Sequence, residues 1–372
     1  MGAPLVPHFP PAPTVKFVDD SKLQGAVKIA IDELTKARKK APVFRLAIID
    51  LGDESSTATL KFGHHNGNTV DFIASEAKII ALYGAFALRD LVERFAAAWR
   101  AVVPAPKPGM IPIASPDVFS ALLVSLRQHI LNAGDPRLAV IPEAKRLPDF
   151  KTMFDPPSAG SPHFAGTFIN ALHEMIVPSS NTAASTVIMS VGFAYLSGAM
   201  KAAGLQVGGK GPWLSADFAG NYYPLMSSTN DDAVGQAGTA LTMAKLMAII
   251  ATQSVAFQRA DAYKHMKKLL AKAVDGDDQP FLTRDTVRDP SDEDASKPPL
   301  RIPRHKITHI KLGWEKLKLT NGGHAVGSET FRLQGLYRSD KVYAVAFQNL
   351  NWHYTSSEDL AFAVRRAIAE YE

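Results

Sequence analysis

A serine and a lysine three residues apart, Ser75 and Lys78, lie within Phe72-Ile73-Ala74-Ser75-Glu76-Ala77-Lys78-Ile79-Ile80-Ala81-Leu82-Tyr83. The stretch reads as the start of a buried helix, so the spacing puts both side chains on one face. Lysine is seldom found in such apolar surroundings without a partner. Held there, it can lose its proton and act as a base, and a neighbouring serine hydroxyl then becomes an activated nucleophile. The plain alternative is a surface lysine near a small residue, since a chain of this length contains roughly one such pair by chance.

Two further triplets carry polar chemistry. Ser179-Ser180-Asn181 falls in a loop between two helical stretches, and Lys311-Leu312-Gly313 falls on a strand. Each has a structural reading of its own. Serine and asparagine are favoured helix caps, and a strand lysine is ordinarily solvated.

The elements that must position these residues follow from periodicity. A proline-rich arm over 1–18 precedes a helix at Ser21–Lys40, with Ser21 and Gln24 at capping-box spacing. Strands at Val43–Leu51 and Thr57–Gly63 form a hairpin leading to Phe72. Helices are expected at Asp117–Asn132 and Phe168–Ile176, and one long apolar helix from Thr182 to about Ala203. Gly208–Thr229 reads as a long, self-packed loop, followed by helices at Thr239–Thr252 and Ala260–Val274. Asp275–Pro299 is an acidic, proline-bearing insertion. Strands at Ile307–Gly313, Thr330–Arg338 and Lys341–Leu350 precede a closing helix at Ser356–Glu372, capped by Ser356. Strands at both ends and helices between them imply an α+β fold: one antiparallel sheet made from both termini, with an inserted helical lobe. Residues 19–372 are expected to form one two-lobed domain, the sheet lobe from about 19–72 and 304–372 and the helical lobe from about 73–303.

Composition excludes some functions. With 372 residues, 46% of them hydrophobic, the chain can bury a large core. A net charge of +5 is spread over 41 basic residues without a basic stripe, so no nucleic-acid partner is expected. There is no cysteine, which rules out disulfides and thiolate chemistry. No apolar run reaches the length of a membrane span, and the start of the chain lacks the pattern of a signal peptide. His64-His65 lacks the ligand spacing of a zinc site. Gly208-Gly209-Lys210-Gly211-Pro212 lacks the full P-loop pattern, and Gly-x-Ser-x-Gly is absent. No metal and no cofactor is expected.

Taken in order, Ser75-x-x-Lys78, Ser179-Ser180-Asn181 and Lys311-Leu312-Gly313 resemble the motif set of the penicillin-recognising serine hydrolases, with class A β-lactamases the nearest branch. Met175–Ala184 is similar to that family's second-motif segment and following helix. The likeness covers roughly 20–90, 165–255 and 305–372, and the 104 positions from Ser75 to Ser179 imply an insertion in the helical lobe. The resemblance implies roles. Ser75 attacks a carbonyl and becomes acylated. Lys78 lies within hydrogen-bond reach as base or relay. Ser179 hands a proton to the leaving nitrogen. Asn181 orients Lys78 and binds a substrate amide. Lys311 attracts an anionic group, Gly313 lets substrate lie against the strand edge, and the N–H groups of Ser75 and Trp314 form an oxyanion hole.

Two positions depart from the family. Leu312 stands where a threonine or serine hydroxyl helps hold a substrate carboxylate. The deacylating glutamate of the long loop, with an asparagine four positions later, is matched by Asp217 and Asn221. An exposed loop aspartate or cap is the other reading of Asp217, and Asp231 and Asp232 are further candidates. The expected partner is a small amide, lactam or ester. The sequence favours a serine hydrolase of the β-lactamase or D,D-peptidase type. The alternative is a weakly acylating or non-hydrolytic ligand-binding protein of the same fold. The resemblance implies an extracytoplasmic location if a leader has been removed, and a cytoplasmic one otherwise. Oligomeric state is not legible.

Overall fold

The computed structural model describes residues 9–53, 59–102, 115–155, 162–206, 209–228, 233–257, 259, 261–275, 307–317, 324–334, 341–351 and 354–372. The helices are α1 (Ser21–Arg38), α2 (Lys78–Val102), α3 (Ser115–Ala133), α4 (Glu143–Arg146), α5 (Phe150–Met153), α6 (Gly166–Ile176), α7 (Asn181–Val191), α8 (Phe193–Ala202), α9 (Ala240–Thr252), α10 (Asp261–Lys272) and α11 (Tyr354–Tyr371). The strands are β1 (Lys16–Asp19), β2 (Arg45–Gly52), β3 (Thr59–His65), β4 (Asp71–Phe72), β5 (Trp213–Leu214), β6 (Gln236–Gly238), β7 (Ile307–Leu317), β8 (His324–Gln334) and β9 (Val342–Asn351).

Six strands form one sheet in the order β1-β3-β2-β9-β8-β7. The first and last thirds of the chain meet where β2 pairs antiparallel with β9, Ile48 opposite Val345. Every pairing in this sheet is antiparallel except that of β1 with β3. This is the α+β architecture expected from strands at both ends. β2 and β9 bury residues on both faces, Leu46 through Leu51 and Val342 through Gln348. The run of apolar residues in each strand requires such two-sided cover. α1 and α11 pack together on one face, and α9 lies on β2, β9 and β8 from the other.

A second, three-stranded sheet, β4-β6-β5, ties the segment before Ser75 to the long loop around residue 213. Asp71 pairs with Gly238, and Trp213 with Ala237. Thr239 then caps α9, with reciprocal hydrogen bonds between Thr239 and Thr242.

Several local expectations are corrected. α1 is capped by Asp20, whose side chain accepts from the Leu23 N–H, so Ser21 is not the cap. Gln24 instead bonds the backbone of His64 in both directions, at 2.9 Å each. α11 starts at Tyr354, before the expected cap Ser356. The single long helix expected after Thr182 is two helices, α7 and α8, which meet at a bend of 78°. Gly192 makes the break with φ +83°, and a Cβ there would come within 2.6 Å of the Arg146 carbonyl oxygen. Helical periodicity continues across this glycine, so the sequence pattern alone reads as one helix. The described part of the arm lies against the body, with the Phe9 ring stacked 5.0 Å from Tyr195. Residues 276–299 of the acidic insertion, and Asp231 and Asp232, lie outside the described residues. No single described helix is long and apolar enough to cross a membrane.

Candidate active site

Ser75 lies on a short 3-10 turn, Ala74–Ala77, that leads directly into α2 at Lys78. In a 3-10 turn, positions i and i+3 eclipse, so the turn aligns Ser75 with Lys78 more closely than an α-helix would. Ala74 precedes the serine with φ +45°. A non-glycine residue in this region is strained, and such strain concentrates at functional sites. The turn packs against β7, β8 and β6.

The Lys78 side chain is fully buried. Its ammonium donates to the Ser179 carbonyl oxygen at 2.6 Å, to Ser179 Oγ at 3.0 Å and to Asn181 Oδ1 at 2.9 Å. These are three acceptors for the three donors of an ammonium. The ring of Phe218 lies 4.5 Å from Nζ, a cation–π contact within buried surroundings. The reading of Lys78 as a surface lysine is therefore excluded.

Ser179 is the hub of the arrangement. It has φ +56°, the second strained non-glycine residue at this place. Its Oγ accepts from Lys78 at 3.0 Å and from Lys311 at 2.8 Å. Ser180 does the capping that the triplet could have served: its Oγ accepts from the Ala183 N–H and starts α7. The three residues thus divide the work, with Ser180 holding the helix and Ser179 and Asn181 holding lysine. Lys311 comes from β7, is 2% exposed, and also donates to the Leu312 carbonyl at 2.9 Å. It is not a solvated strand lysine. The Leu312 side chain is buried with the core, Gly313 lies opposite Ser328, and Trp314 lies opposite Gly327 on β8.

Ser75 itself is half-buried, and among the described residues its hydroxyl has no hydrogen-bond partner. The expected direct bond to Lys78 is absent in this state: the lysine's bonds go to Ser179 and Asn181. Catalytic hydrogen bonds are commonly completed when substrate arrives.

Asp217 and Asn221 are brought together, but in a closed turn. Asp217 Oδ1 accepts from the N–H groups of Ala219 and Asn221 at 2.9 Å each, and Oδ2 accepts from Asn221 Nδ2 at 2.6 Å. The Asp217 N–H donates back to the Asn221 carbonyl at 2.8 Å. Asp217 is 6% exposed and its carboxylate holds its own loop, so it is not an exposed loop aspartate. The residue that this loop presents to Lys78 is Phe218. Its N–H is fixed by Ser185 Oγ at 3.0 Å. Neither Phe218 nor Ser185 was legible as a site residue, because an aromatic in a loop and a serine in an apolar helix carry no chemical spacing. Lys145 anchors the same loop from outside, on Asn221 Oδ1 and on the Tyr223 hydroxyl at 3.3 Å. Among the described residues, no group of three metal-ligating side chains converges.

The arrangement can move a proton. A hydroxyl has two acceptor positions and one hydrogen. With both acceptor positions of Ser179 Oγ facing ammonium groups, its hydrogen is directed away from both lysines.

No protein-family model matches this chain, and no curated protein matches it in sequence. Solved structures do match. A class A β-lactamase from Bacteroides cellulosilyticus DSM 14838 is 12% identical, with 94% of this chain and 99% of that chain covered and a TM-score of 0.51. The TLA-1 extended-spectrum β-lactamase is 11% identical, covers 93% of this chain and 98% of its own, and has a TM-score of 0.50. Identities this low speak to architecture, and the architecture extends over nearly the whole length of both chains. The chain has the fold of the class A β-lactamases.

Proposed function

We propose that the protein is a serine acyl-transfer enzyme of the β-lactamase type, with Ser75 as nucleophile. The observation that carries this reading is the Ser179 hydroxyl held between two buried lysines, beside the strained turn that bears Ser75. In the proposed step, Ser75 Oγ bonds to the carbonyl carbon of a lactam, amide or ester, and the bond to the leaving nitrogen or oxygen breaks. Lys78, in its neutral form, takes the Ser75 proton. Ser179 gives its proton to the leaving atom and is reprotonated from Lys78. Lys311 supplies a fixed positive charge, and the N–H groups of Ser75 and Trp314 receive the developing oxyanion. Asn181 holds Lys78 in place. The test is intact mass after incubation with benzylpenicillin and with a small activated ester. Covalent addition in the native protein and none in Ser75→Ala supports the reading.

A second feature bears on turnover. Asp217 has its carboxylate engaged by three N–H bonds inside its own turn, while Phe218 faces Lys78. This favours slow deacylation, so that the acyl-enzyme accumulates as in a penicillin-binding protein. On this reading, Asp217→Asn leaves the lifetime of the adduct within about twofold of native. An adduct at least about tenfold longer-lived would instead make Asp217 the deacylating base.

A further inference from the structure

The loop Gly208-Gly209-Lys210-Gly211-Pro212 lacks the P-loop pattern, yet its described part borders a cavity of about 240 Å³ away from Ser75. Asp135, Arg137, Lys201, Lys210, Trp213 and Met226 are among the residues that line it. We propose that this cavity binds a compact polyanion, a small molecule carrying phosphate or carboxylate groups.

The charge count favours this ligand. Three cationic side chains and one carboxylate face the cavity. The carboxylate is already engaged, because Asp135 accepts from Arg137 Nε and Nη2 at 2.9 Å each. That pair also holds Asp135 below the usual carboxylate range, with Lys201 adding to the effect. Asp135 is therefore ionised at neutral pH and neutralises Arg137, and two lysines remain in excess. Among the described residues, neither the Lys201 nor the Lys210 ammonium has a side-chain hydrogen-bond partner. Like charges brought to one concavity focus a positive potential there, which an anion relieves.

The floor is rigid. The Arg137 guanidinium lies 4.6 Å from the centre of the buried Trp213 ring. The Trp213 Nε1–H is fixed by Ser215 Oγ at 2.9 Å. The loop wall is shaped by glycine: Gly211 has φ +141°, and a Cβ there would come within 2.2 Å of the Leu205 carbonyl oxygen. Gly209 has φ +75°, and a Cβ there would lie 3.9 Å from Arg137 Nη2, in ordinary contact. The volume admits a diphosphate or a tricarboxylate.

The test is calorimetric titration of the native protein with inorganic pyrophosphate and, separately, with citrate. The proposal expects saturable binding of at least one, weakened at least about tenfold in Lys201→Ala/Lys210→Ala. Both side chains are exposed, so the substitutions should not disturb folding, and matching circular dichroism confirms it. The exposed remote variant Lys28→Ala should bind as native does. Preference for pyrophosphate assigns a phosphate ligand, and preference for citrate a carboxylate ligand. No saturable heat with either probe, or equal affinity in the double variant and native, overturns the proposal.

Discussion

At the scale of single residues, the proposed chemistry rests on two lysines that the fold buries. Burial is costly unless each ammonium is hydrogen-bonded, and Ser179 and Asn181 supply those bonds. Replacing Lys78 with methionine keeps the length and removes the charge. We expect Lys78→Met to slow acylation of Ser75 by roughly 10²–10⁴-fold, the range of general acid–base catalysis. Time-resolved intact mass measures it, and an unchanged rate would remove Lys78 from the mechanism. Leu312, although buried against the core, sits between Lys311 and Gly313 on β7 and carries the expectation about specificity. Leucine offers no hydrogen bond to a substrate carboxylate, and a bond to a charged group is worth about 1.5–3 kcal/mol. Leu312→Thr should therefore raise acylation by a carboxylated penicillin about tenfold or more relative to its methyl ester. A native protein that already prefers the free acid, with no change in the variant, would contradict this. Lys78, Ser179, Asn181 and Lys311, which the structure brings together, were legible in the sequence because reactive types at fixed spacing leave a mark. Phe218 was not, since a ring over an ammonium has no sequence period.

At the scale of elements, caps and breaks decide where helices stand. Asp20 caps α1 and is held below its ordinary value chiefly by the Leu23 N–H. A depressed carboxylate stabilises the fold above its unfolded value, near 3.8, and that stabilisation is lost as pH falls through the lower folded value. Asp20→Ala should cost about 1 kcal/mol at neutral pH. The gap to native should close as the solution is acidified below about pH 4, as read by urea unfolding across pH. A gap independent of pH would contradict the cap. Gly192 sets the bend between α7 and α8, and α7 presents Asn181 at its first turn. A side chain at φ +83° would collide with the Arg146 carbonyl, so Gly192→Ala should cost about 2–4 kcal/mol. An unchanged unfolding midpoint would show that the backbone there can shift freely. The bend was illegible because apolar periodicity runs through Gly192. The cap of α1 was misplaced by one residue because Asp20 and Ser21 are both good caps, and tertiary contact with β3 claims Gln24.

At the scale of the whole molecule, the site exists because distant segments of the chain converge. The turn before α2 brings Ser75 and Lys78, the start of α7 brings Asn181, and the third-to-last strand brings Lys311. The α+β class was legible from strands at both ends. The pairing of β2 with β9 could not be read directly, because strand partners are set by long-range packing rather than local pattern. The small sheet β4-β6-β5 went unseen for the same reason, as its strands are two or three residues long. Yet it is this sheet that fixes the loop carrying Phe218 relative to Ser75. The central claim is that these converging parts make Ser75 a nucleophile. It is tested most directly by mass analysis of the native protein and Ser75→Ala after exposure to benzylpenicillin and to an activated ester, with peptide mapping of any adduct. The account predicts a single covalent adduct mapped to Ser75 and none in the variant. An adduct at another residue, or no adduct with either reagent, would contradict it.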